Sequence, residues 1–312
     1  MKYICKKIFT MLITILLVSF FVFLAFELIP GDPALAKLGT NASPEKLSAL
    51  REQMGLDKPF LIRYFSWVFG MFRGDFGNSY SYSVPVSSMI LDKFPITITL
   101  TLMSFVLIML ISIPVGIFAA EHDGSVLSKG IDIFNQFLMA VPSFFAGMLI
   151  TYFFGLILRL FTPGGFVSYT RNIGKFLYYL IYPSIAIALP KIAMTVKMLK
   201  SSVLSEAKLD YVRTAYSRGN STKAVLYNHV LKNAFIPVVT FLGMTLSDMV
   251  AGSLIVEQVF SIPGLGRLLV TSISNRDYPV VQAIIVLIAV IVIVINFLVD
   301  IIYRIIDPRT RD

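Results

Sequence analysis

Residues 205–237 read SEAKLDYVRTAYSRGNSTKAVLYNHVLKNAFIP, the longest interval in the C-terminal half without an apolar run able to cross a bilayer. Arg213, Arg218, Lys223 and Lys232 make it basic, and membrane-length apolar segments flank it on both sides. A basic loop between spans belongs on the cytoplasmic face. Its internal pattern predicts helix, turn, helix. Asp210 is placed to cap a helix starting near Tyr211, Gly219-Asn220 breaks it, and Ser221 or Thr222 can start a second helix that runs into the membrane.

Working outward, hydrophobic residues make up 56% of the chain and charged residues only 14%, too apolar for a soluble protein of this length. Several runs reach the roughly 20 residues that a transmembrane helix needs. The net charge of +9 sits mostly in short loops between apolar runs, which argues against a nucleic-acid partner and for positive-inside topology. Cys5 is the single cysteine, so neither an internal disulfide nor a cysteine metal cluster can form. His122 and His229 are too few for a histidine metal site, and no metal site is expected.

Lys2, Lys6 and Lys7 precede an apolar run over 8–29 that is longer than a signal-peptide core and lacks a small-residue cleavage site. Residues 1–33 are therefore expected to form a retained first span, stopped by Pro30-Gly31-Asp32-Pro33. Residues 34–96 form an extracytoplasmic or interfacial segment. In it Ser43 is a candidate N-cap, Pro44 fits a first helical position and Gly55 ends the helix. Aromatic residues mixed with Arg63 and Arg73 over 60–72 suit either a helix in the headgroup layer or a buried helix of a small external subdomain.

Residues 97–312 hold five further spans, near 96–120, 131–158, 176–200, 234–260 and 280–306, with the loop of 201–233 facing the cytoplasm. The last span leads into Arg304, Arg309 and Arg311. Glu257 is expected at the outer interface, and Pro263-Gly264-Leu265-Gly266 is expected to reverse the chain outside. The fold class is thus an all-α integral membrane protein with six transmembrane helices and both termini cytoplasmic.

The spacing of Thr214-Ala215, Gly219 and Leu231 resembles the EAA loop of ABC-importer permeases. The form D-Y-V-R-T-A-x-x-x-G followed by H-x-L-x-N-A-x-x-P is similar to the dipeptide, oligopeptide and nickel branch. Arg213 stands where the general motif has glutamate, and Lys232 where it has proline. P-G-D-P at 30–33, G-L-D-K-P-F at 55–60, R-G-D-F-G-N-S-Y at 73–80, V-F-S-I-P-G-L-G at 259–266 and R-D-Y-P-V-V-Q at 276–282 carry the same resemblance.

The resemblance implies the ABC type I importer permease fold in the cytoplasmic membrane of a prokaryote. It implies an ATPase-coupling loop at Asp210, Tyr211, Arg213, Thr214, Ala215, Gly219, His229 and Asn233, and an extracytoplasmic turn at Pro263, Gly264, Gly266, Arg276 and Asp277. Its implied partners are a second homologous permease completing a heterodimeric pore, two ATPase subunits and an extracytoplasmic substrate-binding protein. ATP and magnesium would belong to the ATPase subunits, with no cofactor bound here. The absence of a G-x-x-x-x-G-K-[ST] loop from this chain fits that division.

Neither H-E-x-x-H nor G-x-S-x-G occurs, so catalysis is not expected. Asp248 is an acid inside a span, a costly position. It could meet Lys191 of the fourth span, a cationic group on the substrate, or only a neighbouring backbone group. An ion-coupled secondary transporter is the rival class. Such proteins often show paired halves, and neither the 205–237 pattern nor the 256–283 pattern recurs. Di- or oligopeptides are the expected cargo, with nickel or a nickel chelate as the alternative.

Overall fold

A computed structural model describes residues 2–29, 33–38 and 43–306. The P-G-D-P stop, apart from the helical backbone of Pro33, and the tail residues Arg309 and Arg311 lie outside them. The described residues are helical apart from turns, loops and one isolated β-bridge between Asn78 and Pro85. The chain divides into two compact units, one from Met1–Thr97 with Pro263–Val294, the other from Ile98–Ile262 with Ile295–Asp312.

In the first unit, α1 (Lys2–Leu28) is followed by the short α2 (Pro33–Leu38) and by α3 (Pro44–Gln53). The Ser43 hydroxyl accepts the Lys46 N–H at the start of α3, and Gly55 follows the helix at φ +68°. A residue with a Cβ would be strained at that turn.

Helix α4 (Phe60–Phe72) lays one face on α1, where Phe20 and Phe23 pack against Phe60, Tyr64, Trp67 and Val68. The Tyr64 hydroxyl donates to the Leu16 carbonyl at 3.1 Å, and Arg63 pairs with Glu27 at 2.9 Å. The opposite face leaves Leu61, Ile62, Phe65, Phe69 and Phe72 exposed. One face of this stretch is thus buried against α1, while the other is apolar and exposed. The unit also holds α12 (Leu265–Ser274) and the start of α13 (Tyr278–Ile306).

The second unit is built on α8 (Ile173–Glu206), whose Leu180, Ala186, Ala188, Ala193, Val196, Leu199 and Val203 are buried. Small residues let neighbours approach closely, as bilayer helices require when no hydrophobic effect separates protein from lipid. Pro183 and Pro190 sit inside α8 without breaking it, an arrangement tolerated where surrounding helices re-satisfy freed carbonyls. A Cβ on Gly116 of α5 (Val86–Glu121) would lie 2.8 Å from Leu199. One on Gly243 of α11 (Leu231–Val259) would collide with Val299 of α13.

Two span expectations need correction. α5 starts ten residues before the expected 96, directly after the Asn78–Pro85 bridge, and runs through Pro95 and Pro114 to the turn after Glu121. The third span is not straight. α6 (Val126–Ala140) and α7 (Ser143–Ile150), which continues as a π-helical stretch to Ile157, meet at 99°. Pro142 has no N–H to give, and Val141 before it adopts extended geometry with ψ 116°. Among the described residues five helices are long and apolar enough to span a membrane, or six when this bent pair is counted as one broken span.

Candidate functional site

Between α8 and α11 the chain forms α9 (Asp210–Ser217), then α10 (Thr222–Val225) and a π-helical turn, Leu226–Val230, that runs on into α11. α9 begins one residue earlier than expected. Leu209 is the N-cap, without a side-chain bond, and Asp210 occupies the first turn, where its carboxylate faces the helix N-terminus. Val212 and Ala215 point inward and are buried, while Asp210, Arg213, Thr214 and Ser217 are exposed.

α9 ends in a Schellman-like reversal. Gly219 takes φ +82°, and its N–H donates to the Tyr216 carbonyl at 2.9 Å. The Asn220 side-chain amide donates to the Ala215 carbonyl at 3.0 Å, where a backbone N–H usually serves. Ser221 then caps α10 by accepting the Ala224 N–H.

Tyr211 fixes the helix in space. Its hydroxyl donates to Glu206 Oε1 at the end of α8 (2.7 Å) and accepts from Asn233 Nδ2 at the start of α11 (3.1 Å). Burial, then the Glu206 carboxylate, pushes the phenol above its ordinary range, with Asn233 opposing, so it is a protonated donor at neutral pH. One side chain thus joins three helices. His229 lies exposed in the π-helical turn and is not part of this junction.

The outer turn is built differently from its expected form. Ser261, at φ +55°, ends α11, with the Ile262 N–H reaching the Glu257 carbonyl at 2.8 Å. Glu257 is fully buried rather than the exposed interfacial carboxylate expected. Pro263 and Gly264 belong to the reversal, but Gly266 lies inside α12, whose N-cap is Gly264. α12 closes with the same motif: Arg276 sits at φ +54°, its N–H on the Ile273 carbonyl and the Asp277 N–H on that of Ser272.

Asp277 is completely buried. Its carboxylate accepts from the Ser79 hydroxyl at 2.5 Å, the Tyr80 N–H at 2.9 Å and the Ser81 N–H at 3.3 Å. The R-D-Y-P and G-N-S-Y elements are therefore halves of one hydrogen-bonded junction. Burial raises the Tyr80 phenol, against the pull of Arg63.

In the second unit, Lys191 Nζ lies 3.1 Å from Asp248 Oδ2, the aspartate side chain being 70% exposed. Sequence reasoning missed a second charge cluster. Lys200, nearly buried, donates to Ser128 (2.9 Å) and Asp132 (2.7 Å) and pairs with Asp123 (3.1 Å). The available signal was Asp132, an acid at the edge of an apolar run.

The profile described as "Binding-protein-dependent transport system inner membrane component" matches residues 112–312, and its N-terminal companion matches 1–101. A probable peptide ABC transporter permease of Sinorhizobium fredii is 34% identical over 99% of both chains. A putative peptide transport system permease of Brucella abortus is 37% identical over 99% of this chain and 98% of its own. The oligopeptide transport system permease AppB of Bacillus subtilis is 34% identical over 98% of each. The inward-facing MetNI methionine ABC transporter superposes with a TM-score of 0.56 at 17% identity, covering 70% of this chain and 96% of that one. At that identity the likeness concerns the fold.

Proposed function

This chain belongs to the family of inner membrane components of binding-protein-dependent transport systems, and from that membership we propose that it forms half of the pore of an ATP-driven peptide importer. As a permease it is a non-catalytic subunit that works with ATPase partners in a bacterial inner membrane. In this proposal the other half-pore is a second, homologous permease, an extracytoplasmic binding protein delivers the cargo, and two ATPase subunits bind the cytoplasmic side.

The observation that carries the proposal is α9 and its three-helix junction. A short helix with an exposed polar face and a buried Val212–Ala215 face is suited to sit in a groove of a partner. Its link through Tyr211 to α8 and α11 would convert movement of that partner into tilting of two membrane helices. Asp210, Arg213 and Thr214 supply the outward contacts, Ala215 and Gly219 the compact shape, and Asn233 the anchor. The outer junction of Arg276 and Asp277 would hold the extracytoplasmic loops in register for the binding protein. In this proposal the Lys191–Asp248 pair, open on the aspartate side, would lie on the transport path.

Peptides are favoured because the relatives above that name a cargo class name peptides or oligopeptides. The test offers short peptides, and separately radioactive nickel, to cells lacking this gene. Loss of peptide depletion, restored by the intact gene but not by Gly219→Pro, supports the proposal. Loss of nickel uptake alone overturns the cargo, and normal uptake by Gly219→Pro overturns the coupling role of α9. Proline cannot adopt the positive φ of that turn.

A further inference from the structure

The cytoplasmic ends of α6 and α8 enclose a pocket of about 400 Å³ in which Lys200 and Asp132 form part of the wall. Lys200 has its three ammonium donors directed at three acceptors, so it holds α6 and α8 together and has none left for a ligand. Apart from Leu204 and the Asp132 carboxylate that Lys200 holds, the side chains that remain in the lining can donate. Lys197 and Lys208 are exposed and make no ion pair among the described residues. Ser201 and Ser205 lie between them, one helical turn apart on the same face of α8. Asn135 of α6, only 5% exposed, has a buried Nδ2 with no acceptor. A buried amide donor without a partner costs about 1–3 kcal/mol; Nδ2 is sealed in the wall, so a turn of the Asn135 side chain toward an acceptor in the pocket would recover that cost.

Two unpaired cations, two hydroxyls and an unsatisfied amide around one concavity match the oxygens of a phosphate. The location selects the source. The pocket lies at the end of α8 that leads into the basic α9–α10 loop, the cytoplasmic side by the positive-inside pattern, where anionic headgroups are the nearest phosphates. Beside it, α6 exposes Ile133, Phe134 and Phe137, an apolar face for acyl chains. We propose that this pocket binds the phosphate of an anionic phospholipid headgroup from the inner leaflet. Free inorganic phosphate offers the same oxygens and is distinguished by the test.

The complete importer is reconstituted in nanodiscs of phosphatidylcholine, with or without phosphatidylglycerol, and its lysines are acetylated under limiting reagent. Peptide mass spectrometry then reads Lys197 and Lys208 against Lys223, which is outside the pocket. Phosphatidylglycerol is expected to slow labelling of Lys197 and Lys208 selectively, and Asn135→Leu, which keeps every charge, is expected to remove that protection. Retention of phosphatidylglycerol by the detergent-solubilised complex should fall about fivefold for each of Lys197→Ala and Lys208→Ala. Asn135-dependent protection by millimolar inorganic phosphate in pure phosphatidylcholine, but not by phosphatidylglycerol, keeps the site and overturns the lipid as its occupant. Equal labelling in every condition, or protection that survives Asn135→Leu, overturns the site. None of these readouts depends on what the importer carries.

Discussion

Replacing Asp277 by asparagine changes one atom at a fully buried junction. The native carboxylate offers only acceptors: Oδ1 takes the Tyr80 N–H, and Oδ2 takes the Ser79 hydroxyl and the Ser81 N–H. An asparagine has one acceptor oxygen. Oriented toward Tyr80, it turns an NH₂ toward the Ser81 N–H; oriented the other way, it turns that NH₂ toward Tyr80. Ser79 can adapt in the first case, since its hydroxyl can accept as well as donate. One backbone N–H is orphaned in both. Bonds to a charged acceptor contribute about 1.5–3 kcal/mol each, and an orphaned buried donor costs about 1–3 kcal/mol.

A loss near 2–3 kcal/mol is therefore expected, confined to the loop that Asp277 holds. Since 1.4 kcal/mol is a factor of ten, amide hydrogen exchange at Tyr80 and Ser81 should accelerate about 30- to 150-fold. The α3 amide of Leu47, bonded to the Ser43 carbonyl, should exchange as before. Mass-spectrometric exchange on the purified complex reads both. Exchange at Tyr80 and Ser81 within threefold of the parent, in a folded protein, would refute the assignment of Asp277 as the acceptor holding this loop.

Gly243→Ala should lower the thermal midpoint of the solubilised protein by overpacking that costs about 1–3 kcal/mol, because its Cβ would collide with Val299. Adding Val299→Ala should return most of the loss, and a double variant no better than the single would show that this contact is not the cause. Tyr211→Phe keeps the ring but loses both hydrogen bonds of the three-helix junction. It should stay in the membrane and hydrolyse more ATP per peptide imported in proteoliposomes, and an unchanged ratio would remove Tyr211 from coupling. Asp248→Asn should impair uptake if the charge facing Lys191 lies on the transport path, whereas uptake at the parental rate would leave the pair a structural one.

The spans were legible because bilayer length and apolar composition act on each helix separately, and the α9 turn because Gly219 and Ser221 signal locally. The 99° bend was not. Pro142 marks a helix break in sequence but carries no angle, and Pro183 and Pro190 sit inside a continuous α8. The difference comes from the packing around each proline. Gly266 was misjudged for a similar reason: glycine can end a helix or begin one, and Gly264 had already taken the cap. The Asp277 junction joins residues 198 positions apart, a pairing that no local pattern announces. Lys200 escaped notice because a lysine at a span end resembles an ordinary topology signal until its acceptors are seen.

The bend also bears on how the chain enters the bilayer during synthesis. α6 has 15 residues and rises about 22 Å, less than the roughly 30 Å hydrocarbon layer. α7 and its π-helical continuation also have 15 residues, and the two limbs diverge by 99°. Neither limb is long enough to cross lipid as an independent helix, and carbonyls freed before Pro142 would meet hydrocarbon. Both limbs pack on α8, which the ribosome makes afterwards. Stable burial of the segment in the bilayer is therefore expected only once α8 has been made to cover it.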